Sequence, residues 1–294
     1  MSRRLTRWRA DWRTGLTAAS TAIREKLAFR ANFAGTMLTY GLFIMVFSRI
    51  WANATAGGTT VAGYRYDMLV WYFIIAEVPS FALGRFFWSL SRDMKSGQVA
   101  YLVSRPYDFV GYQFWERLGS ALPDLFIILG EGLLIGCLLT GGLPPLAEWA
   151  GAYSGGQPLA GSGLAWLAGQ GLRALLVVMS LLLSGSLNFY LQFSLAMTAF
   201  WLEENDAFYW IFQKIALVVG TLIPIELLPD AARAVAVWTP FPYIAYAPAR
   251  IMVAFQLPEA LRLMAVQLAW IAIGLVLARL VFAASSRKLS INGG

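Results

Sequence analysis

The sequence predicts an all-α polytopic membrane protein. It has six transmembrane helices, an N-terminal interfacial amphipathic helix and a re-entrant hairpin before the last span. Three observations lead there. Only 13% of the 294 residues are charged, against about 25% in soluble domains, so the solvent for most of the chain is a bilayer. Apolar runs long enough to span it alternate with short polar intervals. Basic residues gather at the N-terminus, in one interior loop and after the last apolar run, as cytoplasmic segments do.

The segment 1–30 carries Leu5, Trp8, Trp12, Leu16, Ala19, Ile23 and Leu27 at helical spacing. Most of Arg3, Arg4, Arg7, Arg9, Arg13, Arg24, Lys26 and Arg30 fall off that stripe. A basic amphipathic helix of this kind lies in the membrane interface; the alternative, a helix packed on a soluble domain, lacks the domain. Such a long polar lead is not a secretion signal, so the first span is expected to stay.

That span is Asn32–Trp51, followed by a short outer loop, Ala52–Tyr66. The second span, Met68–Leu90, is interrupted by Glu77 and Pro79. Then comes the polar interval Arg85–Arg117, whose Arg85, Arg92, Lys95, Arg105 and Arg117 outnumber Asp93, Asp108 and Glu116. Gly97 can end a short helix and Pro106 extends the chain at Arg105. This basic loop, centred on 91–106, is placed inside and is ordered enough to be a docking surface.

Leu118–Thr140 is the third span and Gly141–Gly163 a Gly-rich outer loop. The apolar run Leu164–Trp201 would measure about 57 Å as one helix, so it is expected to tilt, to kink near Ser184-Gly185, or to project inward. Glu203, Glu204 and Asp206 form an acidic inner turn before the fifth span, Ala207–Ile225. The segment 224–255 is apolar yet broken by Pro224, Pro229, Pro240, Pro242 and Pro248. Broken helices at membrane depth need protein or a cavity around them; a re-entrant hairpin from outside satisfies this, and an outer amphipathic loop is the alternative. Leu261–Ala283 is the sixth span, with Arg287 and Lys288 inside.

The chain contains no histidine, which excludes histidine general-base chemistry, His-containing zinc sites and histidine-ligated haem. A lone Cys137 excludes an intrachain disulfide and a thiolate cluster. Ser154-Gly155-Gly156-Gln157 is the tetrapeptide of ATP-binding-cassette signatures, but no Walker A loop accompanies it. The chain is therefore not expected to hydrolyse ATP. Glu77, Asp124, Glu131 and Arg173 lie within apolar runs, where a charge costs roughly 2.5–3.5 kcal/mol and points to a functional path. Glu131 and Arg173 fall at equal depth, about 13 Å from the outer edge, and could pair, either to neutralise each other or to serve transport.

Several stretches together resemble a known family. They are Arg30-Ala31-Asn32-Phe33, Asp93-Met94-Lys95-Ser96-Gly97 through Leu102 to Arg105-Pro106, Ala199-Phe200-Trp201, and Ile223-Pro224 through Pro240-Phe241-Pro242 to Pro248. The chain is similar to permeases of the type-two ABC exporter class, in the ABC-2 family transporter branch. The resemblance implies a single permease domain over 1–294, whose Arg92, Asp93, Met94, Lys95, Ser96 and Gly97 form a coupling helix against a separate ATPase. Glu77, Asp124, Glu131 and Arg173 are the candidate translocation-path residues. No cofactor is expected on this chain; ATP and Mg would belong to two copies of the partner ATPase. A second permease, identical or homologous, and membrane lipids complete the expected partners, with no nucleic acid. The expected place is the plasma (cytoplasmic) membrane with both termini cytoplasmic, and the expected cargo is hydrophobic or amphipathic. The alternative is a secondary transporter or channel subunit, which should show inverted or repeated broken spans; the sequence shows one broken segment. A membrane-embedded enzyme is a third possibility, but no catalytic constellation stands out.

Overall fold

A computed structural model describes residues 2–28, 31–82, 86–95, 108–142, 163–202 and 204–292. Among them the backbone is helical, with two isolated β-bridges and no strand. The helices are α1 (Ser2–Ala28), α2 (Ala31–Ala54), α3 (Tyr66–Ala82), α4 (Phe86–Lys95), α5 (Phe109–Thr140) and α6 (Gly163–Met197). They are followed by α7 (Asp206–Val218), α8 (Asp230–Ala236), α9 (Pro242–Val253) and α10 (Leu257–Asn292).

Helix α3 forms the centre. Its sequence is apolar on every side, which suits a helix surrounded by others rather than one with a lipid face. Every residue from Met68 to Pro79 is buried, Glu77 included. Around it, Trp71 and Phe73 pack among residues of α2, α5, α6 and α9 in one apolar core. A second core, built on Phe87, Phe109, Phe193, Tyr209 and Phe212, fills the opposite end of the bundle. The two ends are named here for Tyr64 and Asn205.

Five helices are long and apolar enough to cross a membrane: Phe33–Ala54, Tyr66–Lys95, Phe109–Thr140, Leu167–Phe200 and Leu257–Ser286. The predicted fifth span, Ala207–Ile225, is not a continuous helix. Helix α7 stops at Val218 after about 20 Å, short of the ~30 Å of a hydrocarbon core. Gly220, at φ 98°, turns the chain in a conformation that favours glycine. A 3₁₀ turn at Ile225–Leu227 then follows Pro224. The segment still reaches from the Asn205 end to the Tyr64 end, because Asp206 lies 3.9 Å from Lys95 and Glu226 accepts from Tyr64 at 3.3 Å. Of the three outcomes expected for the long fourth run (tilt, a kink near Ser184-Gly185 or inward projection), no helix break occurs at Ser184-Gly185, since α6 runs through both residues.

After Glu226 the chain folds back into the bundle. Helix α8 leads to Phe241, whose ring lies 5.7 Å from that of Phe212 in the middle of α7. The Tyr243 carbonyl accepts from Gln267 at 2.8 Å, ten residues into α10 and so about 15 Å from its start. Helix α9 then returns to the Tyr64 end, where Arg250 meets Tyr64 at 3.0 Å. The two arms form a hairpin with Pro240-Phe241-Pro242 at its bend.

Helix α1 packs along the first half of α5. The join depends on Gly119, where a Cβ would come within 2.3 Å of the Ala19 carbonyl oxygen. Lys26 and Asp124, 2.9 Å apart, add an ion pair at the far end of the contact. Because the clash at Gly119 would be with backbone, a side chain there must push α1 away. Gly119→Ala is expected to cost about 1–3 kcal/mol and to lower the thermal midpoint of the detergent-purified protein, with faster proteolysis within residues 13–28. An unchanged midpoint and digestion pattern would contradict this packing.

Candidate functional site

The coupling region predicted at 91–106 begins on α4. Spacing alone makes this helix two-faced: Phe86, Phe87, Leu90, Ser91 and Met94 are buried, while Arg92 and Lys95 are exposed. Asp93 is half-buried. Ser96, Gly97, Arg105 and Pro106 lie outside the described residues, as does Ser154-Gly155-Gly156-Gln157.

The buried face of α4 is fixed by polar bonds as well as by packing. The Ser91 hydroxyl donates to Asn205 Oδ1 at 2.9 Å. Asn205 in turn donates from Nδ2 to the carbonyls of Leu195 at 3.2 Å and Ala196 at 3.4 Å, near the end of α6. The Phe87 N–H, near the start of α4, donates to Gln192 Oε1 at 3.2 Å. The Phe87 ring stacks on Tyr209 of α7 at 4.3 Å and 6°. So α4 is joined to α6 and α7 at once, and a displacement of α4 must carry both. Asn205 went unread in the sequence; its signal was a lone amide just before a helix, among acidic neighbours.

At the Tyr64 end a second polar cluster closes the hairpin. Arg250 donates from Nε to Glu259 at 3.2 Å and from Nη1 to the Tyr64 hydroxyl at 3.0 Å. Glu226 lies 3.9 Å from the same guanidinium and accepts from Tyr246 at 2.7 Å. Burial works against the Arg250 charge, but the phenols of Tyr64 and Tyr246 and the carboxylates of Glu259 and Glu226 outweigh it. They hold the guanidinium's pKa above its ordinary value.

The four predicted intramembrane charges do not converge. Glu77 is buried on α3, and its Oε1 has no hydrogen-bond partner. Glu131 faces α2, with Oε1 3.0 Å from where a Cβ on Gly41 would stand, and its Oε2 also lacks a partner. Asp124 is engaged by Lys26. Arg173 donates to the Met252 carbonyl at 3.2 Å and to Gln170 at 2.6 Å. Among the described residues Glu131 and Arg173 form no ion pair. Equal depth placed them on different faces. Arg173 instead caps the last turn of α9, where free carbonyls attract a cation. No group of three or more His, Cys, Asp or Glu among the described residues could hold a metal ion.

Five apolar helices of membrane length and a covered helix break describe a multi-pass helical membrane protein. The family described as ABC-2 family transporter protein matches residues 165–293. The match takes in most of α6, the Asn205 junction, the hairpin and α10, so the C-terminal part of the chain is similar to that family. No curated protein matches the chain.

Arg250 is the keystone of the Tyr64-end cluster. Arg250→Ala would leave Glu226 and Glu259 half-buried without their cation, a loss of about 3 kcal/mol or more. The expected outcome is a clear fall in thermal midpoint in detergent, with much of it restored in an Arg250→Ala/Glu226→Gln/Glu259→Gln variant. No fall on the single substitution would contradict the clamp.

Proposed function

We propose that this chain is the transmembrane permease of an ATP-driven ABC transporter and that it exports a hydrophobic or amphipathic substrate. The observation that carries the reading is the attachment of α4. A short two-faced helix at one end of the bundle offers Arg92 and Lys95 outward and is joined inward to the ends of α6 and α7. A partner that moves α4 therefore moves the long helix α6 as a lever, and α7 with it. The partner is a separate ATPase in two copies, bringing ATP and Mg, and a second permease completes the assembly. Arg92, Asp93, Met94, Lys95, Ser96 and Gly97 form the docking element. The Asn205 end faces the cytoplasm, together with both termini, in the plasma membrane. The hairpin of 224–255 enters from the outer face and closes the exit. Glu77 and Glu131, with their unpartnered oxygens, are the stronger candidates for the path; Asp124 and Arg173 serve mainly to hold α1 and α9.

The test is the charge reversal Arg92→Glu/Lys95→Glu. Lys95 contacts Asp206 only at 3.9 Å and at the surface, where ion pairs add little, so folding should survive. In the reconstituted complex, transport and substrate-stimulated ATP hydrolysis should fall at least about tenfold, while the permease elutes as the same species. Full transport by the double variant would refute the docking assignment.

A further inference from the structure

Between α1, α4 and the first turns of α5 lies a cavity of about 440 Å³, within the range of roughly 300–1,000 Å³ usual for ligand sites. Its charged lining is Glu25, Lys26, Asp93, Glu116 and Arg117, with Tyr112 and the Gln113 amide beside them. Gln113 is only 8% exposed, and among the described residues its carboxamide makes no hydrogen bond. Gln113 lines the cavity, where a bound polar group can supply the partner its amide lacks within the protein. Both signs of charge meet there. Lys26 holds Asp124 at 2.9 Å, yet an ammonium group has three donors. The Arg117 guanidinium lies over the Phe86 ring, 5.9 Å from its centroid. Glu116 sits within electrostatic reach of both Glu25 and Asp93. Phe86, Leu90 and Ala22 supply an apolar wall.

We propose that this cavity binds the headgroup of a zwitterionic aminophospholipid. The phosphate sits toward Lys26 and Arg117 and accepts from the Gln113 amide; the primary ammonium donates to Glu25, Asp93 and Glu116. Three carboxylates against two cations disfavour a headgroup that brings negative charge alone. A quaternary ammonium has no N–H to give those carboxylates. The apolar wall of Phe86, Leu90 and Ala22, beside the membrane-length helix α5, favours a lipid over a soluble zwitterion. The inference does not depend on the ATPase partner.

The test uses the full chain, purified in detergent and titrated calorimetrically with dihexanoyl-phosphatidylethanolamine. The phosphatidylcholine and phosphatidylglycerol analogues and free phosphoethanolamine serve as comparisons. The ethanolamine lipid should bind at least about tenfold tighter than each of them. Gln113→Leu and Glu116→Gln should each weaken it about tenfold, the scale of one charge-assisted hydrogen bond. Gln113→Leu removes an unpaired amide and should fold normally by gel filtration; Glu116 is exposed, so its variant remains informative if the first does not fold. Equal binding of the three lipids, or wild-type affinity in the folded variants, overturns the proposal. Free phosphoethanolamine binding as tightly as the lipid overturns the lipid assignment.

Discussion

A helix interrupted at membrane depth must find partners for the carbonyls it releases, because the surrounding hydrocarbon offers none. That constraint shapes the C-terminal half of this protein. At the break after α7, the Tyr72 hydroxyl of α3 donates to the Gly220 carbonyl. At the bend of the hairpin, Tyr243 donates to the Val237 carbonyl at 3.0 Å, and Gln267 of α10 to the Tyr243 carbonyl at 2.8 Å. At the end of α9, Arg173 of α6 donates to the Met252 carbonyl. Each interruption thus has a donor delivered by a neighbouring side chain. The donors also explain why α3 is enclosed on all sides and why α6 and α10 carry buried polar residues within otherwise apolar runs.

The same polar residues link distant parts. Gln267 accepts from Ser180 at 2.9 Å and donates to Ser184 at 3.0 Å, which ties α10 to the middle of α6. Two turns further along α6, Gln192 holds α4. One unbroken helix therefore bears the bend of the hairpin near its middle and the attachment of α4 near its end. Rigid elements with fixed contacts at two points are the physical basis for carrying a displacement between sites. Helix α7 makes a second link, meeting α4 through Tyr209 and the bend of the hairpin through Phe212, whose ring lies 5.7 Å from that of Phe241.

Much of this was legible in the sequence, and the remainder was not for definite reasons. Apolar runs fix where long helices lie, because transfer into hydrocarbon is additive along the chain. Prolines marked 224–255 as broken, and Pro240-Phe241-Pro242 stands at the bend. Hydropathy could not tell that Ala207–Ile225 stops short as a helix; Gly220 and Pro224 decide that locally, against an apolar background that reads as continuous. Depth along a helix is one coordinate, and rotation about its axis is another. Glu131 and Arg173 share the first and differ in the second, so an ion pair inferred from depth did not form. Asn205, Gln192 and Gln267 were passed over because a single amide has no periodicity; its meaning comes from the partner the fold brings to it.

The central claim is that the hairpin enters and leaves at one membrane face while α4 lies at the other. Accessibility of single cysteines to an impermeant thiol reagent tests it most directly, in a Cys137→Ala background with Asp230→Cys, Pro258→Cys or Lys95→Cys. Asp230 has a side chain 93% exposed, and Pro258 and Lys95 are exposed as well, so burial does not mask the result. The account predicts that Asp230→Cys and Pro258→Cys react from the outer face and Lys95→Cys only from the cytoplasmic face. Labelling of Asp230→Cys and Pro258→Cys from opposite faces would mean that the segment crosses the membrane, and would contradict it.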